Sequence, residues 1–189
     1  DLDKKRKTQF SIATKDLNLS KHIPELIEMG VKSLKIEGRM RSSYYVATVI
    51  SCYRKLIDAY YNNSFSDSLL EKTSKILNRV ANRESTSQYF KGYVNENDQY
   101  YTEREEVSNQ DFLALVTGYD QKNKILILEQ RNYFKPGDKV TIFTPDGEEC
   151  DLVVEEIYDE EMNKLTCARH PKQQIKIKSE KKFPINSMM

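Results

Sequence analysis

The chain is poor in cysteine and histidine and has no apolar run long enough to cross a membrane. Its three cysteines, Cys52, Cys150 and Cys167, are an odd number with no close pair, which excludes a disulfide framework and a clustered zinc site. The two histidines, His22 and His170, stand apart from cysteines and carboxylates at metal-ligand spacing, so neither reads as a metal ligand. No His-Glu-x-x-His motif occurs, and no Ser-His-Asp or Cys-His arrangement can be assembled from the sequence. Without a signal peptide or spanning segment, a soluble cytoplasmic location and no membrane partner are expected. Internal repeats and low-complexity tracts are also lacking. There is no initiator Met: Asp1-Leu2-Asp3 is followed by a basic run, Lys4-Lys5-Arg6-Lys7, which suits a loop better than a terminus and makes the chain read as a fragment.

What is present is an uneven distribution of charge. The 189 residues carry a formal net charge of +1, yet residues 1–82 hold 15 Lys+Arg against 9 Asp+Glu, a net of +6, and residues 83–189 hold 15 against 20, a net of −5. The first part could face a polyanion; the second is less suited to bind one through net charge alone.

The segment Ser33-Leu34-Lys35-Ile36-Glu37-Gly38-Arg39-Met40-Arg41 alternates with period two, sending Leu34 and Ile36 one way and Ser33, Lys35 and Glu37 the other. In an α/β barrel the apolar pair would pack under helices while Lys35 and Glu37 point inward near the C-terminal mouth, where such barrels do chemistry. Phe10 to Thr14 reads as a preceding strand. Ile23 to Met29 reads as a helix, with Pro24 in its first turn, Ser20 as N-cap and Gly30 just past its end. A second helix runs from Ser42 to about Tyr61, with Val46, Val49, Ile50, Tyr53, Ile57 and Tyr60 on one face. The order is βαβα, the end of a TIM-like barrel, although a closed barrel needs about 250 residues and only about 80 fit the pattern.

A further helix carries Leu69, Leu70, Thr73, Ile76, Leu77 and Val80, with Ser68 and Glu71 at capping-box spacing. Residues 83–110 turn polar and irregular and read as a linker. From Asp111 onward apolar runs recur at Phe112 to Thr117, Ile125 to Leu128, Val140 to Phe143, Leu152 to Ile157 and Ile175 to Ile177, separated by turn signals such as Pro136-Gly137-Asp138 and Pro145-Asp146-Gly147. The expected fold is therefore α+β: β/α units over residues 1–82, then a small antiparallel β-barrel over 111–189.

The candidate ligand or RNA-binding residues are Lys15, Asp16, Lys35, Glu37, Arg39, Arg41, Tyr44 and Tyr45, with no catalytic assignment. Lys35 and Arg39 could bind a carboxylate or phosphate, Arg39 in bidentate fashion. Glu37 and Arg39 also admit a plain structural reading, an ion pair closing a barrel. Lys15 and Asp16 sit just past a strand end, where a carboxylate could equally cap a helix. Tyr44 and Tyr45, close to Arg39 and Arg41, could stack bases, whereas Tyr53 and Tyr60 lie on the apolar stripe and read as core.

Thr14-Lys15-Asp16-Leu17, Ile23-Pro24-Glu25-Leu26, Gly30, Ser33-Leu34-Lys35-Ile36-Glu37-Gly38-Arg39-Met40, Tyr44-Tyr45-Val46-Ala47 and Tyr53-Arg54 together resemble the collagenase-like peptidase family U32, over residues 8 to 62. Phe134-Lys135-Pro136-Gly137-Asp138, the Pro145-Asp146-Gly147 turn and the closing Pro184-Ile185-Asn186-Ser187-Met188 look like that family's C-terminal β domain.

The resemblance implies a bacterial cytoplasmic protein whose complete form has a barrel-like domain with a cysteine-rich signature holding an iron–sulfur cluster. Family members include proteins required for RNA base hydroxylation, among them prephenate-dependent 5-hydroxylation of the tRNA wobble uridine. The signature cysteines would lie upstream of Asp1, so this piece is expected to hold no cofactor and to be inactive alone. Expected partners are tRNA or another RNA, the missing N-terminal part of the parent, and a second copy through exposed strands. Three classes of function stand open: part of an RNA-modifying enzyme with the barrel as an accessory RNA-contacting domain, a collagenase-like peptidase, and a non-catalytic interaction module.

Overall fold

The computed structural model describes residues 13–81, 83–101 and 111–189. Residues 10–12 of the expected first strand, the basic run at 4–7 and most of the acidic stretch before Asp111 lie outside the described residues. Two compact units form, Asp1–Arg39 with Thr48–Asn109, and Met40–Ala47 with Gln110–Met189. The fold is mixed helix and sheet.

The first unit begins with two short strands, β1 (Ala13–Thr14) and β2 (Asp16–Leu17), and a 3-10 turn at Ser20–His22. Helices α1 (Ile23–Glu28), α2 (Ser43–Tyr61, of which the residues up to Ala47 count with the second unit) and α3 (Asp67–Val80) follow, then β3 (Ser85–Thr86), 3-10 turns at Gln88–Lys91 and Glu96–Asp98, and β4 (Gln99–Tyr100). Pro24 falls in the first turn of α1, where its missing N–H costs nothing. Gly30 ends that helix at φ +82, a conformation that a Cβ would strain, and there the Gly30 and Val31 N–H groups donate to the Ile27 and Leu26 carbonyls. Ser42 opens α2 by accepting the Tyr45 N–H at 3.1 Å. The cap of α3 is Ser66, whose hydroxyl accepts the Leu69 N–H at 3.3 Å; Ser68 lies inside the helix, because the extended backbone needed of an N-cap occurs at Ser66 (φ −147, ψ 157). Ile23, Leu26 and Leu56 are buried together, with Leu34, Tyr53, Ile57 and Leu69 packed against them.

The charged segment is not a strand. Residues 31–38 run without regular structure, so the expected βαβα order does not form. Alternation gives Leu34 and Ile36 an apolar side, but a strand also needs a neighbour for its backbone N–H and C=O groups, and none of the described residues supplies one. β1 and β2 find other partners: β1 pairs antiparallel with β4 and β2 pairs parallel with β3.

The second unit contains β5 (Ala114–Asp120), β6 (Ile125–Gln130), β7 (Lys139–Phe143), β8 (Glu149–Val153), β9 (Ile157–Tyr158), β10 (Lys164–Leu165) and β11 (Gln174–Lys178). Five strands form one sheet in the order β10-β9-β11-β6-β5, and β7 pairs with β8 as a hairpin turned at Pro145-Asp146-Gly147, with Gly147 at φ +85. Met188 bridges Leu115 on one sheet and Phe143 on the other. Among the described residues the ladders of the five-stranded sheet and of the β7–β8 hairpin do not join into one closed sheet. The expected single strand from Leu152 to Ile157 is interrupted, because Val154 donates its N–H to the Asp138 carbonyl and accepts from Gly137, leaving the β8 ladder to pin the preceding turn. The core gathers Val116, Leu126, Leu128, Phe134, Ile142, Ile157, Ile175 and Ile177, all at most 1% exposed. Among the described residues no helix is long and apolar enough to cross a membrane.

Candidate functional site

Lys15 and Asp16 are brought into one polar cluster, because the step between β1 and β2 falls where their two ladders meet residues 83–100. The Lys15 N–H donates to the Asp98 carbonyl and the Asp16 N–H to that of Glu84. This seats the Lys15 ammonium 2.5 Å from the Glu84 carboxylate and 5.6 Å from the centre of the Tyr100 ring. The hydrogen bond to Glu84 raises the Lys15 pKa above its ordinary value. Asp16 lies 3.5 Å from the Arg83 guanidinium, and the Tyr100 hydroxyl accepts the Glu84 N–H. Two cations and two carboxylates thus alternate, and each cation faces an acid.

Lys35, Glu37 and Arg39 do not join this cluster. All three are exposed, and Glu37 accepts the backbone N–H of Arg39 at 2.7 Å, a local turn contact. Beneath them Ile36 lines an open groove of about 400 Å³ with Ile23, Leu26, Ile50, Tyr53 and Ile57, and Lys32 and Arg54 also border it. In the second unit the Arg41 guanidinium sits 5.3 Å from the centre of the Tyr45 ring. Tyr44 stacks on Phe112 with centroids 5.2 Å apart and planes 3° apart, and meets Phe143 edge-on. Its ring is engaged in packing. The sequence candidates therefore fall at three places.

A constellation that sequence reasoning missed is Ser87, His22 and Glu25. His22 Nε2 is 2.9 Å from Ser87 Oγ and its Nδ1 is 3.3 Å from Glu25 Oε1, the order of hydroxyl, imidazole and carboxylate found in acyl-transfer enzymes. The bond to His22 holds the Glu25 carboxyl below its ordinary pKa. The ring is 6% exposed and stacks on Phe90 at 4.3 Å, while Gln88, just after the serine, takes φ +40. Such burial leaves little room for a substrate beside the imidazole. Only His22 and Glu25 are close in sequence; nothing pointed to Ser87.

The chain's residues do not fit an iron–sulfur cluster. Cys52 is buried within α2, Cys150 and Cys167 are half-buried in the second unit, and among the described residues no group of three or more His, Cys, Asp or Glu side chains could hold a metal ion. For a dicarboxylate such as prephenate, Lys15 and Arg83 offer cations already facing acids.

Residues 1–100 match the family profile described as Peptidase family U32, and residues 108–189 match that of the Peptidase family U32 C-terminal domain. The chain is 42% identical over 180 residues to tRNA hydroxylation protein P1 of Bacillus subtilis, covering 95% of this chain and 43% of that protein. It is 37% identical over 140 residues to tRNA hydroxylation protein P of Escherichia coli, 73% of this chain and 30% of that one. A collagenase of Porphyromonas gingivalis is 34% identical over 84 residues, 44% of this chain and 20% of that one. The chain spans less than half the length of each of these relatives.

Proposed function

The chain belongs to peptidase family U32, and on that footing we propose that its two units act in the hydroxylation of tRNA in the cytoplasm, the β-rich unit as an accessory RNA-contacting part. One observation carries this reading: the likeness to the Bacillus tRNA hydroxylation protein runs through both units, whereas the likeness to the collagenase covers less than half of the chain. In a whole family protein an iron–sulfur cluster and prephenate would supply the chemistry, and this chain's three dispersed cysteines take no part in it. What its own residues contribute is binding: Lys35, Arg39 and Arg41 offer cations to phosphates, while Lys15 and Asp16 form a separate cluster with Glu84 and Arg83. The segment 184–189, bridging β5 and β7 through Met188, supports treating the seven β strands as one barrel-like module. Self-association through residues 31–38 belongs to the same reading, since that segment lacks a strand partner among the described residues.

The test is nucleoside analysis of tRNA from cells lacking the gene and from cells carrying it back. Loss and return of a hydroxylated uridine is the expected result. Unchanged tRNA, with gelatin digestion that follows the gene, would overturn it.

A peptidase is the second reading, and the Ser87–His22–Glu25 arrangement favours it specifically. Gelatin digestion by the purified chain that disappears in Ser87→Ala would establish that reading. We expect no digestion by either protein, because the imidazole is buried under Phe90.

A further inference from the structure

We propose that the face of the β-rich unit carrying Tyr133, Lys135, Arg169 and Lys172 is a contact surface for single-stranded RNA, with Tyr133 as the platform on which a base stacks. The inference deepens the RNA reading above and rests on it.

Two loops meet at this face. Phe134 and Ala168 form an antiparallel bridge, with the Phe134 N–H donating to the Ala168 carbonyl at 3.3 Å and the Ala168 N–H to that of Phe134 at 2.8 Å. Both side chains are buried, at 1% and 0% exposure. Alternation then sends the flanking side chains outward: Tyr133 is 57% exposed, and Lys135, Arg169 and His170 are exposed as well. Antiparallel register sets Tyr133 opposite Arg169. Lys172 joins them through its N–H, which donates to the Gln130 carbonyl at 2.7 Å.

The charge at this face is segregated, not an average of the unit. Residues 111–189 hold 12 Lys+Arg and 14 Asp+Glu, a slight excess of acid. Both segments that meet at the bridge nevertheless lack acids: residues 130–137 contain Arg131 and Lys135, and residues 162–179 contain Lys164, Arg169, Lys172, Lys176 and Lys178. Some of these are committed elsewhere. Arg131 pairs with Glu129, Lys164 and Lys178 with Glu156, and Lys176 donates to the Glu160 carbonyl. Lys135, Arg169 and Lys172 have no ion pair among the described residues. Asp138 follows the first segment in sequence, and its carboxylate accepts the Lys135 backbone N–H at 2.9 Å.

An exposed phenol ring with cations on the two bridged loops matches what single-stranded RNA offers, a flat base and a phosphate on either side. An acidic protein segment would meet the cations but leave the ring face unused.

The test is fluorescence anisotropy of the 189-residue chain with a labelled single-stranded RNA of about 12 nucleotides, within the usual footprint of small β modules. Tyr133→Ala should weaken binding by about 5- to 100-fold and Tyr133→Phe should restore it, since the ring does the stacking. Arg169→Ala or Lys172→Ala should each lower the slope of log affinity against log salt by about 0.7. Lys75→Ala, on α3 of the first unit, should change nothing. The altered side chains are exposed, so melting curves should superimpose. If wild type binds and the face variants bind equally well, this surface falls while the RNA reading stands. Loss with Arg169→Ala but not with Tyr133→Ala, or equal competition by a poly-glutamate peptide, would mean a plain anion site and overturn the proposal. Failure of the wild type to bind RNA at low salt also overturns it; the tRNA reading is judged separately by the nucleoside analysis.

Discussion

Ser87 Oγ lies 2.9 Å from His22 Nε2, although 65 residues separate them in sequence. The contact ties the 3-10 turn after β3 to the turn that begins α1, and Phe90 closes over the imidazole. Its geometry is that of a nucleophile and its base, but its surroundings are those of a packed polar anchor.

Ser87→Ala should therefore reduce stability. It leaves the His22 nitrogen buried without its partner, at a cost of about 1–3 kcal/mol. Urea titration of the chain, followed at α-helical wavelengths, reads this directly. An unchanged midpoint would mean that the bond contributes nothing to the fold and would free the pair for a catalytic role.

A pH dependence is expected in the second unit. Hydrogen bonds from Lys164 and then Tyr158 hold the Glu156 carboxyl down at about 2. A carboxylate whose folded pKa is depressed adds stability that is fully present above its unfolded pKa, about 4.3, and is lost as pH falls toward 2. Glu156→Gln should flatten that part of the melting-temperature profile between about pH 4.3 and pH 2. Added salt should shrink the effect, since Lys164 is 63% exposed. A variant with the same acid slope as wild type would locate the loss elsewhere.

Much of the local structure was legible in the sequence, and the gaps have a common cause. Pro24, Gly30 and the apolar stripes placed α1, α2 and α3 because helix signals are short-range. The Pro145-Asp146-Gly147 turn located the β7–β8 hairpin for the same reason. The segment 33–37 has the alternation of a strand and is not one, since pairing depends on a neighbour that alternation does not encode. Among the candidate residues, proximity in sequence was a poor guide to proximity in space. Lys15 and Asp16 are joined by Arg83 and Glu84, and Tyr44 by Phe112, each a long-range partner. Ser87 carried no signal, because a lone serine becomes chemically interesting only beside its histidine.

Self-association should follow from the unpaired segment 31–38. Met29, Val31, Ile50 and Tyr61 are 63%, 41%, 51% and 66% exposed, and Ile36 and Ile50 line the open groove, so apolar area lies beside backbone that joins no strand ladder among the described residues. Light scattering from micromolar to millimolar concentration should show a concentration-dependent dimer, with amide exchange slowing in residues 33–38 as it forms. A strictly monomeric chain with fast exchange there would exclude this route.

Glu37 and Arg39 separate a ligand role from a structural one. Both side chains are exposed, and their contact is a backbone N–H on a carboxylate, an arrangement whose loss should barely move the melting temperature. Arg39→Lys keeps the charge but removes the planar fork that grips a phosphate or carboxylate in two places, and Glu37→Gln keeps the shape while removing the charge. Placed in a full-length family protein that hydroxylates tRNA, either change should lower the hydroxylated nucleoside at least tenfold with stability unchanged. Full modification in both variants would assign these residues to the solvated surface. A fall in melting temperature with activity retained per folded molecule would instead mark a structural contact that forms only in the longer protein.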